Sequence, residues 1–418
     1  MSFSQALSGL SAQSESLQVI GNNISNSQTV GFKAGDALFA DVFAGANSKI
    51  GLGTRVSDIR QDFTAGGLES TGRQLDLAIS GEGFFRLEQP NGEAVYSRNG
   101  QFSQDADGFI VNATGQRVTG FPEGGGAEPE PIQIDREGLE AQATGTDDGV
   151  KAVYNLDAGA SSATADQQSV TLKDAAGADV NVSYNFANSF TTYDSLGNQR
   201  IASAYFSKQD PATNTNTWDV RFAVDGVVDN TGNQYTIGFN NDGTLDPGST
   251  GNGGVLENVT FTAADLFGGE PNDLVFDFDL NGTTQFAGTS TQNSLTQDGY
   301  APGSLAGFEV QDNGTIQKNY TNGESRDAGQ IALASFVNPE GLQPDGDNNF
   351  RETAASGQAN NGTAGAGLLG TIESGVIESS NVDLATELVD TIVAQRAYQA
   401  NSTSISTQDE LLQTVIQL

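Results

Sequence analysis

Apolar side chains recur at steps of three and four at the two ends of the chain and at steps of two between them. Near the start, Phe3, Leu7, Leu10, Leu17 and Ile24 fall on one heptad track, whose gaps hold Ser14 and Gly21. Near the end, Leu384, Leu388, Tyr398, Ile405, Leu412 and Ile416 fall on a second track, and Ile392 belongs to the same apolar set. Such spacing puts side chains on one face of a helix. It predicts a helix over residues 1–24, broken at Gly21-Asn22-Asn23, and a long one from Asp383 to Leu418. Ser380 or Asn381 would cap the second helix, and Asp383 in its first turn would suit the free amides there. Nothing of comparable length between them reads as helical. A chain whose long amphipathic helices are its termini is expected to bring those termini together and to lay them against other copies of itself.

From about residue 71 the period changes to two. Gly83-Phe84-Phe85-Arg86-Leu87 and Ala94-Val95-Tyr96-Ser97-Arg98 read as strands joined through Asn91-Gly92, a hairpin dipeptide. A second β-rich block carries the alternations Trp218, Val220, Phe222, Val224 and Leu274, Phe276, Phe278, Leu280, each followed by a turn pair. The spacing suits an antiparallel sandwich or barrel. The expected fold class is mostly β with α-helical termini. It comprises two nested antiparallel β domains and a terminal-helix coiled-coil domain formed by both chain ends. The expected boundaries are 1–30 with 372–418 for the helices, and 31–70 with 354–371 for irregular connections. A discontinuous β domain would take 71–145 with 294–353, and an inserted outer β domain 146–293.

Charge narrows the partners. With 53 acidic and 18 basic residues the formal net charge is −35, a field that disfavours nucleic acid and anionic membrane surfaces. It fits a well-solvated surface or a saline habitat. From Met1 to Phe32 the only charged side chain is Glu15. Ser, Gln and Asn fill the polar face of that segment, and such groups can be buried between helices at lower cost than ions. This predicts a helix that packs on more than one side once assembled.

The chain has no Cys and no His, so it offers neither disulfides nor the commonest general base and metal ligand. No run of about 18 apolar residues predicts a membrane-spanning helix. The start reads as lacking a cleavable leader. Asp277-Phe278-Asp279-Leu280-Asn281-Gly282 resembles half a calcium loop, but Gly288 stands where a bidentate Glu is needed. A strand and turn is the simpler reading, as a surface turn is for Asp345-Gly346-Asp347. No catalytic, cofactor or metal residue is expected.

Several motifs carry a resemblance. Leu17-Gln18-Val19-Ile20-Gly21-Asn22-Asn23-Ile24-Ser25-Asn26 with Thr29-Val30-Gly31-Phe32-Lys33 resembles the N-terminal signature of bacterial flagellar rod and hook proteins. Thr71-Gly72-Arg73-Gln74-Leu75-Asp76-Leu77-Ala78-Ile79 with Gly83-Phe84-Phe85 is similar to their next block, and Tyr96-Ser97-Arg98-Asn99-Gly100-Gln101-Phe102 to its hook version. Ser380-Asn381-Val382-Asp383-Leu384 and Val393-Ala394-Gln395-Arg396-Ala397-Tyr398-Gln399-Ala400-Asn401 complete the pattern. The family residues are thus Asn22, Asn23, Asn26, Gly31, Phe32, Lys33, Asn381, Asp383, Gln395 and Arg396. Arg396 would pair with a carboxylate of a neighbouring helix or stay solvated. The large middle block and the opening Met1 to Leu10 favour the hook branch.

The resemblance implies a self-assembling helical tube around an export channel, bending as a joint between motor and filament. Its implied partners are further copies of the chain, a distal rod protein, a hook cap, a hook–filament junction protein, a hook-length control protein and the flagellar type III export apparatus. It implies an extracellular, flagellar location. A distal rod-like protein and, from another class, a secreted β-sandwich adhesin remain as alternatives at this stage.

Overall fold

The computed structural model describes residues 3–42, 51–163, 166–210, 212, 216–229, 234–250, 252–267 and 271–416. Part of the connection expected over residues 31–70, residues 43–50, lies outside them. The chain forms two compact units. The first takes residues 1–136, 307–319 and 325–418, and the second 137–306 and 320–324.

The first unit opens with helix α1 (Phe3–Ser25). The expected break at Gly21-Asn22-Asn23 is absent. The Asn23 side chain is anchored outside the helix, and the Asn26 amide still bonds Asn22 O at 3.0 Å. An antiparallel hairpin follows, β1 (Gly35–Val42) and β2 (Gly53–Gln61). This stretch was expected to be irregular. A register shift between Leu38 and Phe39 breaks the alternation that would have revealed it.

The β core of this unit is a sheet in which Ser325–Ser335, Arg117–Phe121, Phe84–Glu88, Ala94–Ser97 and Asn349–Arg351 lie side by side. It buries Leu77, Ile79, Phe85, Leu87, Val118, Ile331, Leu333 and Ile372 in one cluster. The Gly- and Ala-rich stretch 354–370, expected to be a flexible connection, contributes strand Asn360–Thr363 against Ser325–Ser335 and buries Ala364 and Leu369.

In the second unit a five-stranded and a seven-stranded sheet share one core. Val150, Ala152, Tyr154 and Leu156 point in from one sheet, and Trp218, Val220, Phe222 and Val224 from the other. The Phe222 and Phe278 rings meet at 4.9 Å between centroids. Pairing is mostly antiparallel, but Val150–Asp157 runs parallel to Leu274–Asp279 and Thr284–Phe286. Alternation cannot show strand direction, so this was not readable beforehand. The unit also holds a short helix α2 (Ala263–Phe267). The calcium-like stretch is strand Leu274–Asp279 and a turn in which Asp279 Oδ1 accepts the Asn281 N–H at 2.8 Å. In the first unit, Asp345 pairs instead with Arg351 Nε at 2.8 Å.

The last element is α3 (Leu384–Ile416), 33 residues, or roughly 50 Å at 1.5 Å per residue.

Candidate assembly site at the terminal helices

Helices α1 and α3 lie against each other. Their direction follows from two contacts. A Cβ on Gly9 would lie 2.8 Å from Asn401 Nδ2, and Asn23 Nδ2 donates to Glu387 Oε1 at 2.8 Å. Moving up α1 therefore moves down α3, and the pair is antiparallel. Small residues make the inner face: Ala6, Gly9 and Ala12 of α1 are buried, as is Ala394 of α3.

The hairpin holds α1 from another side. Gln5 Nε2 donates to Gly51 O at 2.6 Å, and Ser8 Oγ accepts from Thr54 N at 3.3 Å. Farther along, Asn23 donates to Gly35 O at 2.9 Å and accepts from Gly35 N at 3.0 Å. Packing on more than one side is thus already present within a single copy.

The predicted α1 stripe enters these contacts only in part. At about 100° per residue, its mean bearing lies roughly 100° around the helix from that of Ala6, Gly9 and Ala12, with Ile24 on the bearing of Ala6. Phe3 and Leu7 are exposed, Leu7 at 49%, while Leu10, Leu17 and Ile24 are half-buried. On α3, Leu384, Leu388, Ile392, Tyr398 and Leu412 are exposed, Leu388 at 53%, and Ile405 is half-buried. The Ile416 side chain lies outside the described residues. Val389, Val393 and Leu411 are exposed apolar residues that the heptad track passed over. Their signal was direct adjacency to stripe positions Leu388, Ile392 and Leu412. The exposed stripe residues therefore take no part in joining the two helices. Gly9 allows the close approach, and the exposed apolar residues remain available on the outside.

The family residues divide into two groups. Most gather where the helices meet the β core. Gly31 is buried with φ +70°, and a Cβ there would sit 2.5 Å from Asn99 N, so only glycine fits. Lys33, fully buried, reaches Glu378 Oε1 at 2.6 Å. Burial lowers the Lys33 pKa more than the attraction of Glu378 raises it. Asn381 Oδ1 accepts the Ala34 N–H at 2.8 Å, and its Nδ2 donates to Asp62 O at 2.8 Å. Asn22 and Asn26 close the end of α1 by a side-chain bond at 2.9 Å, and Phe32 is half-buried beside them in sequence. Asp383 is itself the cap of α3, rather than a first-turn residue. Its Oδ1 accepts from Ala385 N at 2.8 Å and Thr386 N at 3.3 Å. The other group, Gln395 and Arg396, is exposed on α3 away from this junction.

Glu378 was missed. The only signal was an acidic residue inside the apolar run Val376-Ile377-Glu378. Its cationic partners lie 280 and 345 residues away in sequence, a pairing no local pattern displays.

Comparison with known proteins settles the family. Residues 78–150 match the flagellar hook protein FlgE/F/G D1 domain, and 155–300 match the flagellar basal body protein FlaE D2 domain. Residues 4–33 match the flagella basal body rod protein family and 373–418 the flagellar basal body rod FlgEFG protein C-terminal family. The chain is 44% identical to the flagellar hook protein FlgE of Escherichia coli, with 100% of both chains covered. It is 34% identical to that of Borreliella burgdorferi, covering 99% of this chain and 98% of the relative. The chain belongs to the flagellar hook protein family. It is a structural subunit of the bacterial flagellar hook, β-rich and with helical ends. In fold, the crystal structure of Helicobacter pylori flagellar hook protein FlgE2 superposes with a TM-score of 0.53 at 13% identity, covering 73% of this chain and 99% of that one.

Proposed function

We propose that copies of this hook subunit build a flexible curved tube by burying the outer stripes of α1 and α3 against neighbouring copies, and that the tube passes motor torque to the filament around an export channel. The observation that carries this reading is that α1 packs on α3 and on the hairpin and still leaves Phe3 and Leu7 of its apolar stripe exposed, beside the exposed Leu384, Leu388, Ile392 and Leu412 of α3. Each Leu or Ile buried there contributes roughly 1.5–3 kcal/mol. The helical ends would stay loose in a free copy and become ordered on assembly, because a 23-residue helix with one charge gains little alone. Loose ends suit unfolded passage through a flagellar type III export apparatus to an extracellular destination. A distal rod protein below, a hook cap and junction protein above, and a length-control protein complete the proposed partners. The role is mechanical, with no catalysis, cofactor or metal.

Negative-stain electron microscopy of the purified chain under polymerising conditions tests this, beside a version lacking residues 1–24 and 383–418. Curved tubes from the intact chain alone are expected. Tubes from both would move the polymer contacts to the β domains and sink the proposal.

A further inference from the structure

Three ionisable side chains meet below the helix pair, shut away from water. Side-chain exposure is 0% for Lys33, 1% for Glu378 and 4% for Arg98. Lys33 Nζ donates to Glu378 Oε1 and to Thr64 O, each at 2.6 Å. Arg98 Nη1 donates to Glu378 Oε2 at 3.4 Å and Nη2 to Gly81 O at 3.0 Å, with the guanidinium 5.3 Å from the Phe84 ring centre. Glu378 also accepts from the backbone: Gly66 N reaches Oε1 at 2.9 Å, and Gly31 N reaches the Glu378 carbonyl at 2.8 Å.

The chain passes between the helix-and-hairpin part of this unit and its β core twice. One route leaves β2 through residues 62–67, and the other enters α3 through 375–383. Glu378 lies on the second route and bonds the first at Gly66. Through Lys33 and Gly31 it holds the segment that leaves α1, and through Arg98 it holds the β core. A buried ion pair gains little stability over an apolar filling, so stability alone is a poor reason for placing one here. What it supplies is direction, since each hydrogen bond fixes one segment against another.

As a sequence, the pair Gly66-Gly67 reads as a connection able to absorb motion. The structure removes that freedom. A Cβ on Gly66 would lie 1.9 Å from Ser379 O, and Ser379 N bonds Gly67 O at 2.8 Å. The glycine is there for close backbone approach rather than looseness.

We propose that Glu378 is a clamp that makes the terminal helices, the hairpin and the β core of this unit one mechanical body, so that twist applied to the helices reaches the β core without loss at the junction. The mechanical consequence rests on the proposed tube; the clamp itself does not.

The test uses the full chain and the variants Glu378→Gln and Lys33→Met/Glu378→Gln, the second sparing the fold one unpaired buried cation. Hydrogen exchange is read on the free subunit and needs no polymer. Exchange at the Gly31 and Gly66 amides is expected to rise on the order of a hundredfold in Glu378→Gln, while amides of Ser325–Ser335 keep their protection. Tubes grown from either variant are expected to keep their diameter and lose persistence length. Exchange at Gly31 and Gly66 that stays within about twofold of the parent in both variants overturns the clamp. So do variant tubes as stiff as the parent's. Absence of tubes from the parent chain would count against the assembly reading and leave the exchange result to decide the clamp.

Discussion

Asn23 of α1 donates its side-chain N–H to the carboxylate of Glu387 in the first turn of α3, at 2.8 Å and across 364 residues of sequence. Burial pushes the Glu387 carboxyl above its usual range. The Asn23 bond opposes this, and Asp390 and Asp36 add to it. A carboxyl whose pKa is higher folded than unfolded weakens the fold once ionised. The penalty is absent below the ordinary value of 4.5 and complete above the raised one. Acidification should therefore tighten the helix pair. Protection of α1 amides is expected to grow as pH falls from neutrality toward the ordinary carboxyl value of 4.5. Glu387→Gln should flatten that response, and an equally steep response in the variant would remove Glu387 as its source.

Gly9 sets how closely the two helices approach. Gly9→Leu would drive a branched side chain into Asn401 and is expected to cost about 1–3 kcal/mol in helix pairing, in the range of overpacked cores. Circular dichroism and tube yield should both fall, while the fluorescence of Trp218 stays as in the parent chain.

The outer stripe makes the opposite prediction. Leu7→Asp and Leu388→Asp alter exposed positions, so the free subunit should keep its stability within about 0.5 kcal/mol. Tube formation should be lost. Normal tubes from both variants would show that these residues face no neighbour.

Trp218 is fully buried at the centre of the second unit. Trp218→Ala is expected to destabilise that unit by about 3–5 kcal/mol, seen as an earlier denaturant transition. Exchange at Asn23 and Gly35 in the first unit should not change.

Residues 384–416 illustrate what a sequence shows. Their periodicity gave a helix, its length and its apolar residues, because those depend on side chains three and four positions apart. Which face meets α1 was not readable. The inner contact uses Gly9, a residue too small to register as a stripe. The paired strands Gly35–Val42 and Gly53–Gln61 escaped notice because one bulge shifts their alternation by a residue. Trp218, Val220, Phe222 and Val224 were legible as a strand, having no such interruption. The junction behaved differently again. Lys33 stood out through a family motif, yet its partner Glu378 did not. Its role arises from segments that meet only in three dimensions.

Gln5 and Ser8 hold one end of α1 to the hairpin, and Asn23 holds the other through both polar atoms of its amide. A helix fastened at two points along its length has no freedom to roll about its own axis. Slipping by one residue would swing the outward apolar side chains through about 100°. The compass bearing of the sticky side is therefore fixed by the hairpin, so every copy in the tube offers its neighbours the same bearing.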